Sequence, residues 1–228
     1  MKKGFLAGLL SGVIAVFVMY QCPAAWLGDG SIQRTESAVS RHQGERALVA
    51  YFTYGENIET TSLIGVDAIA SASLHGESSH TIDNTSLMAE KIQQAAKADR
   101  YAIVVKQPYA PQYEIMRNRA YEEIRQHVLP ELASPVPDMA PYDVIYLGTP
   151  IWAGSLPPAV ASFLSQCNMA GKRIVLFGAH RGSGFGSLRS QVQALCPDAV
   201  VQEGLMVRAD AENSDAARLV SQWLGQET

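Results

Sequence analysis

The sequence predicts an α/β domain built on a doubly wound, five-stranded parallel sheet. Three observations predict it: short apolar runs recur along the chain, amphipathic helical segments alternate with them, and no internal repeat divides the whole. Short apolar runs bounded by turn residues read as strands buried on both faces, and their alternation with helices calls for parallel crossovers. Such crossovers are right-handed, so helices cover both faces of the sheet. With 228 residues and 47% apolar content, the chain can bury one core of that size.

The N-terminal residues stand apart from this pattern. Lys2 and Lys3 precede Phe5 to Tyr20, an uncharged and largely apolar run, and residues 1–25 read as an export signal or membrane anchor. Lysines ahead of the apolar run hold the N-terminus inside, so the rest is expected to be exported or membrane-anchored, with the domain outside the cytoplasmic membrane. Residues 26–45 are polar and aperiodic and read as a linker, leaving 46–228 for the domain.

The first strand is Ala47 to Thr53, closed by the turn-prone Tyr54-Gly-Glu-Asn57. Residues 58–80 are rich in Ser, Thr, Ala and Gly and show little periodicity. Asp83-Asn84-Thr85-Ser86 then offers capping side chains to a first helix, whose inner face takes Leu87, Ile92 and Ala95 or Ala96. Tyr101 to Val105 is the second strand. After Pro108 and Pro111, the spacing of Ile115, Tyr121, Ile124 and Val128 predicts a surface helix over Tyr113 to Leu129. The third strand is Asp143 to Thr149, and the helix after it opens at Pro157-Pro158, whose fixed φ suits a first turn. The fourth strand, Arg173 to Gly178, leads into the Gly-rich turn His180 to Gly186 and a helix ending at Leu195. A fifth strand over Val200 to Leu205 and a helix over Ser214 to Leu224 complete the domain.

Charge and cysteine content exclude some functions. A net charge of -4 with scattered basic residues predicts no nucleic-acid partner. Cys167 and Cys196 match neither a metal knuckle nor a C-x-x-C pair, so no metal site is expected, and the two read as separate buried thiols or as a pair joined after export. In sheets of this kind a ligand settles beyond the carboxyl ends of the strands, where the winding reverses. The loops after the first, third and fourth strands are therefore the candidates.

Three stretches in those loops carry a resemblance: Tyr142-Asp-Val-Ile-Tyr-Leu-Gly-Thr-Pro-Ile-Trp-Ala-Gly154, Gly171-Lys-Arg-Ile-Val-Leu-Phe-Gly178, and Gly182-Ser-Gly-Phe-Gly186. Their order and spacing resemble the flavodoxin family over most of Ala47 to Leu224. The resemblance is to a branch with a long insertion between the first strand and the Asn-Thr pair that opens the first helix, here Asn84-Thr85. It implies strand order 2-1-3-4-5 and noncovalently bound FMN.

The resemblance also implies site residues. Thr53, Asn84, Thr85 and Ser86 would hold the phosphate, consistent with the preference of helix N-termini for anions. Thr149, Pro150, Ile151, Trp152, Ala153 and Gly154 would form the ring loop, with Trp152 against the isoalloxazine and the Ala153-Gly154 peptide near its N5 edge, its carbonyl able to reorient on reduction. Ala179, His180, Arg181, Gly182 and Gly184 would pass the pyrimidine edge with backbone N–H groups, and Arg181 would favour the anionic reduced flavin. Glu56 stands where a short phosphate-binding loop is usual, so Tyr54 to Asp83 is expected to loop away. No side-chain nucleophile is needed, since the cofactor carries the electron chemistry. The expected function is electron exchange with a redox partner protein or small electron acceptor. Alternatives are an NAD(P)H-dependent quinone or flavin reductase and a cofactor-free interaction module.

Overall fold

Five parallel strands form the sheet: β1 (Ala47–Tyr51), β4 (Asp99–Ala102), β5 (Val144–Gly148), β6 (Arg173–His180) and β7 (Val200–Arg208). They lie in the order β4-β1-β5-β6-β7, which is 2-1-3-4-5 when the sheet's own strands are counted along the chain. The structure is a computed structural model that describes residues 44–59, 74–75, 82–211 and 213–225. The expected N-terminal segment over 1–25, nearly all of the 26–45 linker and most of the 54–83 insertion lie outside the described residues. Among the described residues no helix is long and apolar enough to cross a membrane.

Every residue of β1 and β5 is buried, as strands covered on both faces require. One face packs on α3 (Pro158–Ser165) and α4 (Leu188–Leu195), with Met116 and Ala120 of α2 (Tyr113–Gln126) joining the same cluster. The other face packs on α1 (Asn84–Ala96) and α5 (Asn213–Trp223). Within the insertion, β2 (Leu74–His75) pairs antiparallel with β3 (Ile82–Asp83) as a ladder apart from the sheet.

Several boundaries differ from the sequence reading. The second strand ends at Ala102 because its neighbours change: Val105 N–H donates to the Asn57 side chain (2.8 Å), and Ala133 N–H donates to the Val104 carbonyl (2.7 Å). Strands β6 and β7 run past Gly178 and Leu205 to pair His180 with Arg208, across a bulge that leaves Gly204 without an opposite residue. A Cβ on Gly204 would stand 2.7 Å from the Leu176 carbonyl oxygen and 2.7 Å from the Trp223 ring, so only glycine fits there.

The inner faces of two helices also shift. Met88, Ala89, Ile92 and Ala96 are the buried apolar residues of α1, while Leu87 is half-buried. On α2 the buried residues are Met116, Ala120 and Glu123, while Ile115 (57%) and Tyr121 (50%) face solvent, as does Val128 (45%) just past the helix, and Ile124 is half-buried. The carboxylate can sit inside because it is fully engaged: Arg119 Nε donates to it at 2.8 Å and Tyr109 Oη at 2.9 Å, with the guanidinium 4.1 Å from the Tyr109 ring centre.

Asn57 joins the turn after β1 to the exit of β4. Its buried amide donates to the Thr53 and Ile103 carbonyls at 2.8 and 3.1 Å, while its oxygen accepts from Val105. The turn therefore stays against the sheet. Glu56 does not leave either: it accepts from Tyr51 Oη at 2.8 Å, and its N–H donates to Thr53 Oγ1 at 3.2 Å. Ile58 bridges to Tyr109 and the Glu59 N–H donates to the Tyr109 carbonyl at 3.1 Å, so residues 54–59 stay at the sheet, and most of the rest of the expected excursion lies outside the described residues.

Candidate functional site

The sheet winds outward in both directions from β1 and β5, so the crossovers leaving their carboxyl ends diverge and a crevice opens between them. An open cleft lies there, lined by apolar and aromatic side chains with a few polar and charged ones among them, as ligand sites are. Its wall is drawn from the loops after β1, β5, β6 and β7, from the start of α1 and from one side of α2.

The β5–α3 loop supplies Pro150, Ile151, Trp152 and Ala153. Trp152 and Ser155 exchange two backbone hydrogen bonds (3.0 and 2.8 Å), and the two residues between them have positive φ, Ala153 at 51° and Gly154 at 74°. This is the type I′ geometry, which glycine accepts freely and alanine only at a cost of about 1–2 kcal/mol. The loop is anchored from α4: Gln191 Oε1 accepts from Ser155 Oγ and Leu156 N–H at 2.9 and 2.7 Å, and Ser187 Oγ donates to the Gly154 carbonyl at 3.1 Å. Trp152 is 9% exposed. It is held edge-on by Tyr109, Phe52 and Tyr54, with centroids 4.9, 5.0 and 6.3 Å away, so the ring belongs to the core as well as to the cleft wall.

The end of β6 brings Ala179 and His180, and the loop after it Arg181, to the opposite side. His180 Nδ1 accepts from the backbone N–H groups of Gly182 (2.9 Å) and Gly184 (3.0 Å). The ring proton therefore sits on Nε2. Two of the backbone donors expected to meet a ligand are thus committed within the loop. Burial, then the nearby Arg208 guanidinium, holds the imidazole below its ordinary value, with Asp210 pulling the other way. A histidine whose folded value lies below its unfolded one adds stability above about pH 6.5 that disappears as the pH falls. Urea unfolding at about pH 7.5 and 5.5 is expected to show His180→Phe losing less stability on acidification, or gaining more, than wild type, the difference between the two isolating His180 from the other groups that titrate in this range. The variant itself should be weaker at the higher pH by roughly 1 kcal/mol, since two N–H groups lose their acceptor.

At the start of α1, Asp83 is the N-cap: its Oδ1 accepts from Ser86 N–H at 2.9 Å. The carboxyl is 4% exposed and lies on the cleft wall beside Thr85. Burial raises its pKa to about 7 against the opposing pull of the Ser86 N–H, with the Glu56 charge adding to the rise. Asn84 points elsewhere, its amide donating to the carbonyls of Arg208, Ala209 and Ala211 at 3.2–3.3 Å and tying α1 to the end of β7. Ser86 Oγ turns back to the Asp83 carbonyl, and Thr53 Oγ1 is taken by Glu56 N–H.

Of the residues expected at the site, Thr85, Pro150, Ile151, Trp152, Ala153, Ala179, His180 and Arg181 line the cleft. Thr53, Asn84, Ser86, Thr149, Gly154, Gly182 and Gly184 are not among the residues that line it. Thr149 packs so closely on Gly178 that a Cβ there would overlap its carbonyl oxygen. The sequence reading missed Tyr54, Asp83, Ala209 and the α2 wall of Tyr113, Met116, Arg117 and Ala120. The last four stand at i, i+3, i+4 and i+7, a single helical stripe that periodicity could have found.

No curated protein matches the chain. Among solved structures it is similar to a candidate flavoprotein from Bacteroides eggerthii, at 23% identity, 80% coverage of this chain, 99% of that one and a TM-score of 0.56. A candidate flavoprotein from Bacteroides uniformis is similar at 21% identity, with 81% and 100% coverage and a TM-score of 0.59. A flavoprotein from Lactobacillus acidophilus, solved in complex with FMN, follows at 19% identity, 76% and 99% coverage and a TM-score of 0.51. At these identities the likeness concerns the fold. A family model described as Flavodoxin matches residues 78–226, well over half of the sequence, and the chain belongs to that family.

Proposed function

We propose that the protein binds FMN noncovalently in this cleft and exchanges electrons with a redox partner protein or a small acceptor. The observation that carries the reading is the convergence of Thr85 at the start of α1, Trp152 in the loop after β5 and His180 at the end of β6 on one open cleft at the carboxyl edge of the sheet. A flavoprotein of the same fold from Lactobacillus acidophilus was solved with FMN, which supports the choice of cofactor.

The residues present suit the ring end of that molecule. Ile151, Trp152 and Tyr54 offer apolar and aromatic surface, the 152–155 turn presents backbone amide groups, and His180 Nε2–H is a neutral donor. Bound FMN supplies one- and two-electron transfer. The protein's role is to exclude water with the aromatic wall, to fix the loop through Gln191, and to hold Arg181 on the wall as positive charge near an electron-rich ligand. At the other end Thr85 and the first turn of α1 suit an anion when Asp83 carries a proton. Lys2, Lys3 and the apolar run after them support placing the domain outside the cytoplasmic membrane.

The test is the purified protein's absorbance. A yellow protein, or one that takes up FMN and releases it on denaturation, is the expected result. A folded, colourless protein that takes up no FMN overturns the reading in favour of an interaction module. Rapid bleaching by NADPH without a partner would move the assignment to a pyridine-nucleotide-dependent reductase.

A further inference from the structure

The start of α1 combines two opposed features. Thr85 lines the cleft at the helix N-terminus, where an anion is favoured, yet the buried Asp83 carboxyl lines it too and already draws on the Ser86 and Thr85 N–H groups. An ionised carboxylate and a phosphate cannot share those donors without strong repulsion in so dry a place. We propose that Asp83 determines which flavin the cleft takes: protonated, it admits the phosphorylated form, and ionised, it turns the preference toward a flavin without phosphate. The inference rests on the cleft being a flavin site.

The groups around Asp83 fit this role. Glu56, on the turn after β1, lies close enough to favour the protonated form, and it is itself bonded to Tyr51 Oη. Arg100 of β4 stands 5.7 Å from the Tyr51 ring centre and favours the ionised form of Glu56, against the burial that raises it. From the far walls, Arg117 pairs with Glu114, Arg208 pairs with Asp210 at 2.7 Å, and His180 is held neutral. Arg181 lies near Asp210 and shares the cleft wall. None of the ion pairs resolved on the described residues joins a cation to Asp83, so its proton is the means of removing its charge.

The sign of the effect separates this site from an ordinary phosphate cradle. The phosphate of FMN gains its second charge near pH 6, so a cradle of donors alone would bind it as well or better as the pH rises. With Asp83 in place the preference should fall instead.

Dissociation constants for FMN and riboflavin, read from quenching of flavin fluorescence between about pH 6 and 8.5, test this directly. Riboflavin lacks the phosphate and so cancels every contribution of the ring. Wild type is expected to lose about tenfold or more of its preference for FMN across that range. Asp83→Asn, which keeps a capping side chain, should restore the preference at the high end by a similar factor. Asp83→Ser provides a second variant with a cap and no charge, and the wild-type series stands without either. A wild-type preference that is flat or rises with pH, or variants that match wild type, overturns the role of Asp83 while leaving the flavin site intact. If neither flavin binds at any pH, the site assignment fails and this inference with it.

Discussion

Gly178→Ala is expected to prevent the sheet from closing at its central strands. The added Cβ would overlap the Thr149 carbonyl oxygen and stand 2.8 Å from the carbonyl carbon. Neither side can yield. Thr149 N–H is bonded to the Phe177 carbonyl at 2.9 Å, and Gly178 is held in register against Met206. Overpacking against a flexible side chain costs about 1–3 kcal/mol, and a clash with fixed backbone belongs above that range, at about 4 kcal/mol or more. Circular dichroism and urea unfolding of the variant should show a protein unfolded or barely stable at 25 °C; a variant within about 1 kcal/mol of wild type would mean that the β5 and β6 ends are softer than described.

The second large effect is at Trp152. Truncation to alanine removes a ring in edge contact with three aromatic neighbours and leaves a void between Phe52 and Tyr109. The expected loss of stability is about 3–5 kcal/mol, measured by the shift in urea midpoint. Trp152→Phe should recover more than half of that loss, because one aromatic ring still fills the centre of the cluster. If the cleft holds FMN, both variants should weaken it, alanine by about tenfold or more. A stable Trp152→Ala protein with unchanged flavin affinity would remove the residue from both roles.

Much of the sheet was legible because its signal is local. An apolar run such as Val144 to Gly148 announces a buried strand whatever surrounds it. What stayed hidden depends on partners far along the chain. The apolar spacing of the second helix was read from Ile115, Tyr121, Ile124 and Val128, yet the buried residues of α2 are Met116, Ala120 and Glu123, the last made acceptable by Arg119 and Tyr109. Glu56 was expected to leave the site on the ground of charge alone. Its hydrogen bond from Tyr51, five residues earlier, holds it in place.

The candidate site was legible in outline and less so in detail, for the same reason. Loop membership follows from strand order, so the positions after β5 and β6 could be named. Whether an individual N–H faces a ligand could not, because His180 takes up those of Gly182 and Gly184 through a contact that leaves no mark on composition. Asp83 read as an ordinary helix cap. Its place on the cleft wall follows only from the fold.

The bulge in β7 has a geometric result of its own. Val201 and Leu205 are an even number of positions apart and in an uninterrupted strand would point the same way. Here Val201 joins the core shared with α4, and Leu205 joins the one shared with α5. One extra glycine inverts the parity of the strand midway, so that a single ribbon of chain supplies apolar groups to opposite sides of the molecule in turn.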